Sequence, residues 1–426
     1  MSGITFTALG ASNEVGRSSF LIDAGDKILL DRGVKLMSDS TEYPLPVRTN
    51  LDAAIISHAH LDHCGDLPHL FLKSNCLCYM TAPTLEIAEL LWHDTLKIAG
   101  IEGMDAHFSK DEIERTKKYS FPMNFRKRIE ITKHASLELL DAGHILGSAM
   151  SKLELKNKTM LYTGDYKPVE TRLLTGADSE NVGKIDYLVI ESTYGDREHP
   201  SREKVEKAFV EKVREVLDRK GVALVPAFAV GRSQELVEIL AEHKIDVPIY
   251  LDGMGQKAAT IHERHPQFLK DPRKLKKALG NARWIRDQNA RKRAVKEPCV
   301  IVTTAGMLQG GPALNYLKNI YSDPRNAVLL TGFQVKDTPG SRLLSEGRIN
   351  IDGKEYVVKC EAEKFDFSAH PSQSDMLKSL NMWGPEKVLL VHGDSEVMLV
   401  FKKTIESELG IDTIIPEKGQ MIKLSD

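Results

Sequence analysis

Residues 58–63 read His-Ala-His-Leu-Asp-His and directly follow the apolar segment 51–56 (LDAAII), which we predict to be a short buried strand. Three imidazoles and a carboxylate cannot all point into an apolar core without partners, because each unpaired neutral group costs roughly 1–3 kcal/mol and a charge costs more. A divalent metal would satisfy all four, and imidazole and carboxylate are ligands that zinc accepts. A surface cluster of hydrogen-bonded histidines is the alternative, but HxHxDH after a buried strand is far more specific than a lone HxH.

Completing two metal sites requires ligands from elsewhere in the chain. The side chains of residues 58 and 60 can reach one metal, and those of residues 62 and 63 then face a second one nearby. Three further candidates each follow or interrupt an apolar run and have glycine beside them, which permits close backbone approach: His144 in AGHILGS, Asp165 in YTGDY and His392 in LVHGD. Any one alone is more often a capped turn or a core histidine. Their order after HxHxDH favours a metal centre.

That order of motifs resembles the metallo-β-lactamase superfamily. Asp31 in LLDRG matches the first superfamily motif, residues 58–63 the second, His144 the third and Asp165 the fourth. The resemblance implies two zinc ions per chain, with His58, His60 and His144 on one, Asp62, His63 and His392 on the other, and Asp165 bridging them. It also implies that Asp31 orients one of these ligands by a hydrogen bond.

The 426 residues suit two domains. We predict strands at 4–9, 18–23, 27–31, 51–56, 137–141, 151–155, 159–163, 187–191, 222–226, 247–252, 298–304, 326–331 and 387–391, and helices at 84–99, 202–219, 232–243, 254–265 and 310–321. The alternation after residue 202 is typical of a parallel α/β sheet, and from about residue 365 we expect only short segments. The expected fold is therefore α/β: a metallo-β-lactamase αββα sandwich (1–195 and 363–426) with an inserted parallel α/β domain (196–362).

The insertion resembles the β-CASP branch of the superfamily, whose members act on nucleic acids. The matching motifs are Glu191 in IESTYG, His370 in FSAH, His392, the segment 226–232 (PAFAVGR), and the glycine loops 304–307 (TAGM) and 331–334 (TGFQ) through 339–342 (PGSR). The resemblance implies that these loops line an RNA-binding cleft. The candidate phosphate-binding residues are Ser148, Arg232, Ala305, Gly306, Gly332 and Ser368. Taken singly, each glycine loop is more often an ordinary turn.

The expected chemistry is hydrolysis of an RNA phosphodiester by a metal-bridging hydroxide, since two metals can clamp the attacking and leaving oxygens. The candidate catalytic residues are Asp62, Glu191 and His370. A carboxylate hydrogen-bonded to His370 would keep its imidazole protonated, which makes it the candidate general acid.

Within the β-CASP branch, the segment 14–18 (EVGRS) and FSAH around His370 are most similar to prokaryotic homologues of the endonuclease subunit of the cleavage and polyadenylation specificity factor. The expected function is thus an endoribonuclease in RNA processing, 3′-end formation or decay, without the KH region of longer archaeal forms. The alternatives are a 5′-to-3′ exoribonuclease of the RNase J type, a small-molecule hydrolase of the lactamase or glyoxalase type, and a metal-free scaffold. The Glu191–His370 pair disfavours the small-molecule hydrolase, and the complete ligand set disfavours the scaffold.

The composition indicates a cytoplasmic protein. No run of 18 apolar residues and no signal peptide is present, and the five cysteines fit no disulfide framework. The expected partners are single-stranded RNA, a second copy of the chain as the default assembly, and other RNA-processing proteins. A net charge of -2 does not by itself indicate nucleic-acid binding, since nucleic-acid-binding domains are usually basic. Basic residues cluster within 273–293, however, either as a solvated helix face or as a track for RNA.

Overall fold

The computed structural model describes residues 3–37, 40–335 and 338–425. Its strands are β1 (Thr5–Ala8), β2 (Phe20–Asp23), β3 (Lys27–Leu30), β4 (Lys35–Leu36), β5 (Thr41–Glu42), β6 (Ala53–Ile55), β7 (Leu77–Thr81), β8 (Ser120–Met123), β9 (Ile129–Glu130), β10 (Ala135–Asp141), β11 (Ala149–Leu155), β12 (Lys158–Tyr162), β13 (Tyr187–Glu191), β14 (Val222–Pro226), β15 (Ile249–Asp252), β16 (Arg283–Trp284), β17 (Cys299–Thr303), β18 (Ala327–Leu330), β19 (Arg348–Ile351), β20 (Lys354–Val357), β21 (Glu361–Lys364), β22 (Lys387–Val391), β23 (Asp412–Ile414) and β24 (Met421–Lys423).

The helices cover most of the segments between these strands. They are α1 (Leu61–Cys64), α2 (Leu67–Leu70), α3 (Ala82–Glu102), α4 (Lys110–Tyr119), α5 (Arg202–Asp218), α6 (Arg232–Glu242), α7 (Met254–Arg264), α8 (Pro272–Asn281), α9 (Gln288–Ala294), α10 (Gly311–Ile320), α11 (Pro339–Glu346), α12 (Gln373–Trp383) and α13 (Ser395–Leu409). Among the described residues, no helix combines the length and the apolar character needed to cross a bilayer.

The chain forms two compact units. The first, here called the sandwich unit, comprises Met1–Glu170, Gly176–Glu198 and Ala369–Asp426, and the second, the inserted unit, comprises Thr171–Thr175 and His199–Ser368.

The sandwich unit contains two sheets of seven strands, in the orders β24-β1-β2-β3-β6-β7-β8 and β23-β22-β13-β12-β11-β10-β9. Apolar side chains from the facing surfaces of both sheets form one core, which includes Phe20 and Ile55 from the first sheet and Leu139 and Val189 from the second. Strand β13 is apolar up to Glu191, its last residue, because both of its faces are buried: Val189 faces the other sheet, while Leu188 packs with the helices.

Helices cover the outer face of each sheet. Helix α3 buries Ile87, Ala88 and Trp92 and contacts β7 and β8 of the first sheet. Residues of α12 and α13, among them Trp383 and Phe401, pack on the outer face of the second sheet. The layers are therefore helix, sheet, sheet and helix, as the sequence predicts.

Parallel pairing brings the motif residues of the sandwich unit to one edge of each sheet. Strands β12, β13 and β22 are parallel neighbours, and their carboxyl ends lead to Asp165, Glu191 and His392. In the first sheet, β3 and β6 are parallel, and their ends lead to Asp31 and His58. The carboxyl ends of parallel strands are where open α/β sheets place functional residues.

The inserted unit contains a six-stranded sheet in the order β16-β15-β17-β14-β18-β21, and every neighbouring pair in it is parallel. Strand β14 alternates its apolar side chains between two cores, with Val225 on the side of α5, α6 and α8 and Leu224 on the side of α9, α10 and α11. The predicted parallel α/β arrangement is confirmed for this unit.

One expectation about local structure is wrong. The residues after 365 do not form only short segments, because α12 has 11 residues and α13 has 15. Val397, Met398, Phe401 and Ile405 are buried at helical spacing in α13, and that pattern was readable in the sequence. The HxHxDH motif begins in a loop and ends in a helix, since Asp62 and His63 lie on the short helix α1.

Candidate metal centre

One cluster of ligand atoms comes from the second and third motifs together with Asp165 of the fourth. His58, His60, His144 and Asp165 each offer one atom, and these atoms lie within 4.8 Å of one another. His60 Nδ1 is 3.2 Å from His58 Nε2 and 3.1 Å from His144 Nε2. Asp165 Oδ2 is 3.6 Å from His58 Nε2 and 3.7 Å from His144 Nε2. Burial lowers the pKa of His58 and His144 well below the ordinary value for an imidazole, which keeps both rings neutral, as metal ligands must be.

A second cluster shares Asp165 and adds Asp62, His63 and His392. Asp165 Oδ1 is 3.2 Å from His63 Nε2 and 3.4 Å from His392 Nδ1, and His392 Nε2 is 3.2 Å from Asp62 Oδ2. Burial opposes a charge on His63, but the attraction of Asp165 and Asp62 outweighs it and raises the pKa of that imidazole. The carboxylates thus favour a cation at this point. The two oxygens of Asp165 face different clusters, which is the arrangement a bridging ligand needs.

The residues of both clusters fit zinc. Three ring nitrogens of His58, His60 and His144 converge on one region, and a single proton between two of them cannot satisfy the third. Asp165 Oδ1 is buried and makes no hydrogen bond of good geometry within the described part of the chain. A buried oxygen left in this way costs free energy, and a cation between these atoms would remove that cost. Histidine nitrogens and carboxylate oxygens are ligands that zinc accepts.

Asp31 orients His63, a member of the second cluster. Its carboxylate accepts hydrogen bonds from the backbone N and the hydroxyl of Ser57, each at 2.7 Å, from the Tyr162 hydroxyl at 2.6 Å and from His63 Nδ1 at 2.7 Å. Because Nδ1 of His63 donates to Asp31, its Nε2 is directed at the ligand cluster, which is how such partners orient metal-binding histidines. His144 is held in the same manner, since its Nδ1 donates to the Ala369 carbonyl at 2.9 Å.

The backbone is strained at two of these positions. Asp31 has φ 56° and His392 has φ 52°, a left-handed conformation that costs a residue with a side chain roughly 1–2 kcal/mol. Such outliers cluster at functional sites, where surrounding contacts hold them.

Glu191 and His370 form a pair beside the clusters. His370 Nδ1 donates to Glu191 Oε2 at 2.8 Å, and Thr193 donates its hydroxyl to the same oxygen at 2.6 Å. Burial opposes a charge on His370, but Glu191 and then Asp165 outweigh it and raise the pKa of this imidazole to about 9. One ligand atom from each of Asp165, Glu191 and His370 lies within 4.8 Å of the other two. The imidazole therefore carries a proton next to the candidate metal ligands.

The candidate phosphate-binding residues have other contacts in the structure. The Ser148 hydroxyl accepts hydrogen bonds from His144 N and Ile145 N, and so closes a turn. The guanidinium of Arg232 donates to Glu235 and to the Phe367 carbonyl, and burial lowers the pKa of Arg232 to about 10. Both side chains thus take part in internal contacts, and their contact with phosphate stays a prediction.

The glycine loops of the inserted unit meet at Phe228. Gly306 and Gly332 lie so close to this residue that a Cβ on either would be 3.1 Å from its backbone N or 2.7 Å from its ring, respectively. Gln334 Nε2 donates to the carbonyls of both glycines. Ala305 lies beside Gly306 in the same loop, and the Ser368 carbonyl accepts a hydrogen bond from Arg202 at 3.4 Å. The structure therefore brings the two predicted loops together at the carboxyl ends of β14, β17 and β18.

Sequence reasoning missed several supporting residues. Ser57 and Tyr162 bind Asp31, Thr193 binds Glu191, and the ammonium of Lys167 donates to the His370 carbonyl at 2.7 Å. Ser57 and Thr193 adjoin motif residues, so their positions offered a signal. Tyr162 and Lys167 offered none, because their partners lie 131 and 203 residues away along the chain.

Comparison with known proteins gives matches over most of the chain. Residues 233–343 match the Beta-Casp domain, residues 355–416 the Zn-dependent metallo-hydrolase RNA specificity domain, and residues 4–185 the anti-Pycsar protein Apyc1. A crystal structure of a protein of unknown function from Enterococcus faecalis covers 99% of this chain and 100% of its own, with a TM-score of 0.64 and 15% identity. These matches confirm the metallo-β-lactamase fold with an inserted β-CASP domain.

Several archaeal proteins are similar to the chain over nearly its whole length. A probable RNase MJ4 of Methanocaldococcus jannaschii is 40% identical, covering 97% of this chain and 99% of its own. The RNase aCSPSF2 of Saccharolobus solfataricus is 38% identical over 98% of this chain and 84% of its own. The transcription termination factor FttA of M. jannaschii is 33% identical over 99% of this chain and 72% of its own. The chain therefore belongs to the Beta-Casp metallo-hydrolases, a family of ribonucleases, within the branch of archaeal homologues of the cleavage and polyadenylation specificity factor.

Proposed function

We propose that this protein is a ribonuclease that holds two zinc ions and cuts RNA at internal phosphodiester bonds. The observation that carries the proposal is the position of Asp165, whose two carboxylate oxygens face two separate ligand clusters. Beside them lies the imidazole of His370, which is hydrogen-bonded to Glu191. Metal-dependent phosphodiester hydrolysis needs both parts, a pair of cations and a proton donor.

The first zinc would be held by His58, His60 and His144, the second by Asp62, His63 and His392, with Asp165 shared. When bound, the two ions would polarise the scissile phosphate and lower the pKa of water, which provides the nucleophile. Asp31 and the Ala369 carbonyl fix the rings of His63 and His144, so the chain presents these two ligands in a fixed orientation.

His370 would act as the general acid. Its Nδ1 is committed to Glu191, so Nε2 is the atom that donates a proton to the leaving oxygen. Glu191 holds the imidazolium charge, and Lys167 holds the backbone carbonyl of His370. A positioned acid of this kind contributes roughly 10²–10⁴-fold to a rate.

The names of the relatives favour RNA processing or transcript 3′-end formation as the setting. One similar protein is an RNase and another a transcription termination factor. A second candidate activity, 5′-to-3′ exonuclease, is favoured by the RNase J-like protein of M. jannaschii, which is 34% identical over 97% of this chain.

Digestion of a single RNA labelled at either end distinguishes the two activities. The RNA is prepared with a 5′-monophosphate, a 5′-triphosphate or a 5′-hydroxyl. We expect internal fragments whose yield does not depend on the 5′ group, and loss of cleavage after chelation that added zinc restores. Release of mononucleotides only from the 5′-monophosphate would make the protein an exonuclease. Cleavage that survives chelation would overturn the proposal.

A further inference from the structure

Positive charge is concentrated in one segment of the inserted unit. Residues 270–296 contain eleven lysines and arginines but only two acidic residues, Asp271 and Asp287, in a chain whose net charge is -2. Both acidic side chains accept hydrogen bonds from the backbone at helix starts, Asp271 from Arg273 N and Lys274 N and Asp287 from Ala290 N. The carboxylates of the segment are therefore used as helix caps.

The segment forms one edge of the sheet. Helix α8 leads into β16, the edge strand, and α9 follows it. Helix α8 buries Leu275 and Leu279 in the core on one side of the sheet, and α9 buries Ala294 in the core on the other. The outward-facing cations of α8, the following turn and α9 consequently surround this edge. We name them the basic edge. Its six members, all of which are exposed, are Arg273, Lys276, Lys277, Arg286, Lys292 and Arg293.

No carboxylate in the described part of the chain neutralises the basic edge. Within the described residues, no ion pair within 4.0 Å involves any of its six members, whereas the neighbouring Lys274 and Arg291 pair with Glu242 at 3.5 Å and Asp252 at 2.7 Å. Arg273, Lys276 and Lys277 stand three and four residues apart on α8, a spacing at which like charges destabilise a helix.

Helix α5 of the same unit shows how charged side chains on a solvated helix face pair with one another. It is also charged on its exposed face, but two of its lysines pair with glutamates along the helix, Lys207 with Glu211 and Lys212 with Glu215, and Arg219 directly after the helix also pairs with Glu215. A solvated helix face needs no more than this. The basic edge lacks such pairs, so its charges are suited to an external polyanion.

We propose that the basic edge binds the phosphate backbone of single-stranded RNA, as a contact additional to the metal centre. Lysine and arginine side chains neutralise phosphates without reading bases. Trp284, the one aromatic residue of the segment 270–296, is partly buried and donates its Nε1 to the Leu279 carbonyl, so we expect the contact to be independent of base sequence. The inference rests on the proposed function for its choice of RNA as the polyanion. It explains how a chain with a net charge of -2 binds RNA.

The test compares two triple variants of equal charge. The first carries Arg273→Gln, Lys276→Gln and Lys277→Gln on α8, and the control carries Lys110→Gln, Lys118→Gln and Lys133→Gln, three exposed lysines of the sandwich unit. Binding of a fluorescent RNA of about 30 nucleotides is measured over a range of salt concentrations, with His370→Ala in each protein to keep the RNA intact. Each lost phosphate contact reduces the slope of log K against log salt by about 0.7 for single strands. We expect the α8 triple variant to reduce the slope by about 2 and the control to leave it unchanged.

An equal slope in both triple variants would overturn the inference, and the basic edge would then serve an acidic protein or no partner. Cleavage of an RNA of about six nucleotides by the α8 triple variant with His370 intact separates this result from the proposed function. We expect that cleavage to equal the wild-type rate, because none of the three changed residues belongs to the ligand clusters of the metal centre. If neither protein cleaves RNA, the proposed function fails, while the salt slopes still decide whether the basic edge binds RNA.

Discussion

The metal centre of the sandwich unit and the charge network of the inserted unit are both buried polar clusters near the carboxyl ends of strands, yet they are built differently. In the metal centre, imidazoles and carboxylates converge, and Asp165 Oδ1 has no hydrogen-bond partner among the described residues. In the inserted unit, Asp252 is matched by Arg291 at 2.7 Å and by the Tyr316 hydroxyl at 2.8 Å. The difference teaches that a buried cluster whose charges pair with one another supports the fold. A buried cluster whose ligand atoms converge without such partners indicates a bound ligand.

Arg232 shows why residue type alone does not distinguish a cluster that supports the fold from one that binds a ligand. Its position at the start of α6, directly after Gly231, resembles a phosphate-binding site in the sequence. In the structure its guanidinium pairs with Glu235, which also pairs with Arg202. Arg232 thus already has an internal partner, although two guanidiniums share the one carboxylate.

The largest effect is expected for Asp165→Ala. This change removes the side chain shared by both clusters, so we expect zinc content and RNA cleavage to fall to background together. The matched control is Asp252→Ala, which removes a buried carboxylate at a strand end of the inserted unit and should leave the zinc content unchanged. Bound zinc can be counted by mass spectrometry and cleavage followed on labelled RNA. Full zinc content in Asp165→Ala would show that the carboxylate is no bridge.

His370→Ala is expected to slow cleavage by roughly 10²–10⁴-fold, the range for a lost general acid. The zinc content should stay at the wild-type value, because His370 Nδ1 binds Glu191 and the ring is not part of either ligand cluster. The comparison of kcat with bound zinc separates this role from metal binding. Equal zinc loss in His370→Ala and Asp165→Ala would contradict the division of roles.

Arg291→Ala tests the cluster formed by Asp252, Arg291 and Tyr316. It leaves Asp252 buried without its ion pair, which costs roughly 3–5 kcal/mol in a fully buried pair. The Arg291 side chain is 23% exposed, so we expect a loss of about 2–3 kcal/mol in the free energy of unfolding. Zinc content and cleavage by the folded protein should not change. Arg286→Ala, an exposed arginine without an ion pair, is the control and should stay within about 0.5 kcal/mol in urea unfolding.

A smaller effect is expected from Glu238, a buried carboxylate of α6. Burial, followed by the charge of Glu242, raises its pKa to about 7. An acid whose pKa is higher in the folded state stabilises the protein below its unfolded pKa, and this contribution is lost as the pH rises to about 7. Glu238→Gln should therefore raise Tm by about 2 °C at pH 8 and much less at pH 5. A larger gain at pH 5 would contradict the assignment.

The sequence predicted which candidate ligands come together far better than it predicted the residues that surround them. The spacing of HxHxDH and the glycines beside His144, Asp165 and His392 are local signals, because each residue ends a strand whose apolar run is visible. Contacts such as that of Tyr162 with Asp31 depend on which strands become neighbours, and no local pattern encodes that. The parallel sheet was readable from its alternation of strands and helices, whereas α8 and α9 were hidden because their charges mask a short apolar face.

The most direct test of the account is the zinc content of freshly purified protein, measured together with cleavage during stepwise chelation. We expect two zinc ions per chain, one after His58→Ala, and loss of cleavage as the first ion is withdrawn. One ion or fewer in the wild-type chain, with cleavage unaffected by chelation, would contradict the claim that Asp165 joins two metal sites.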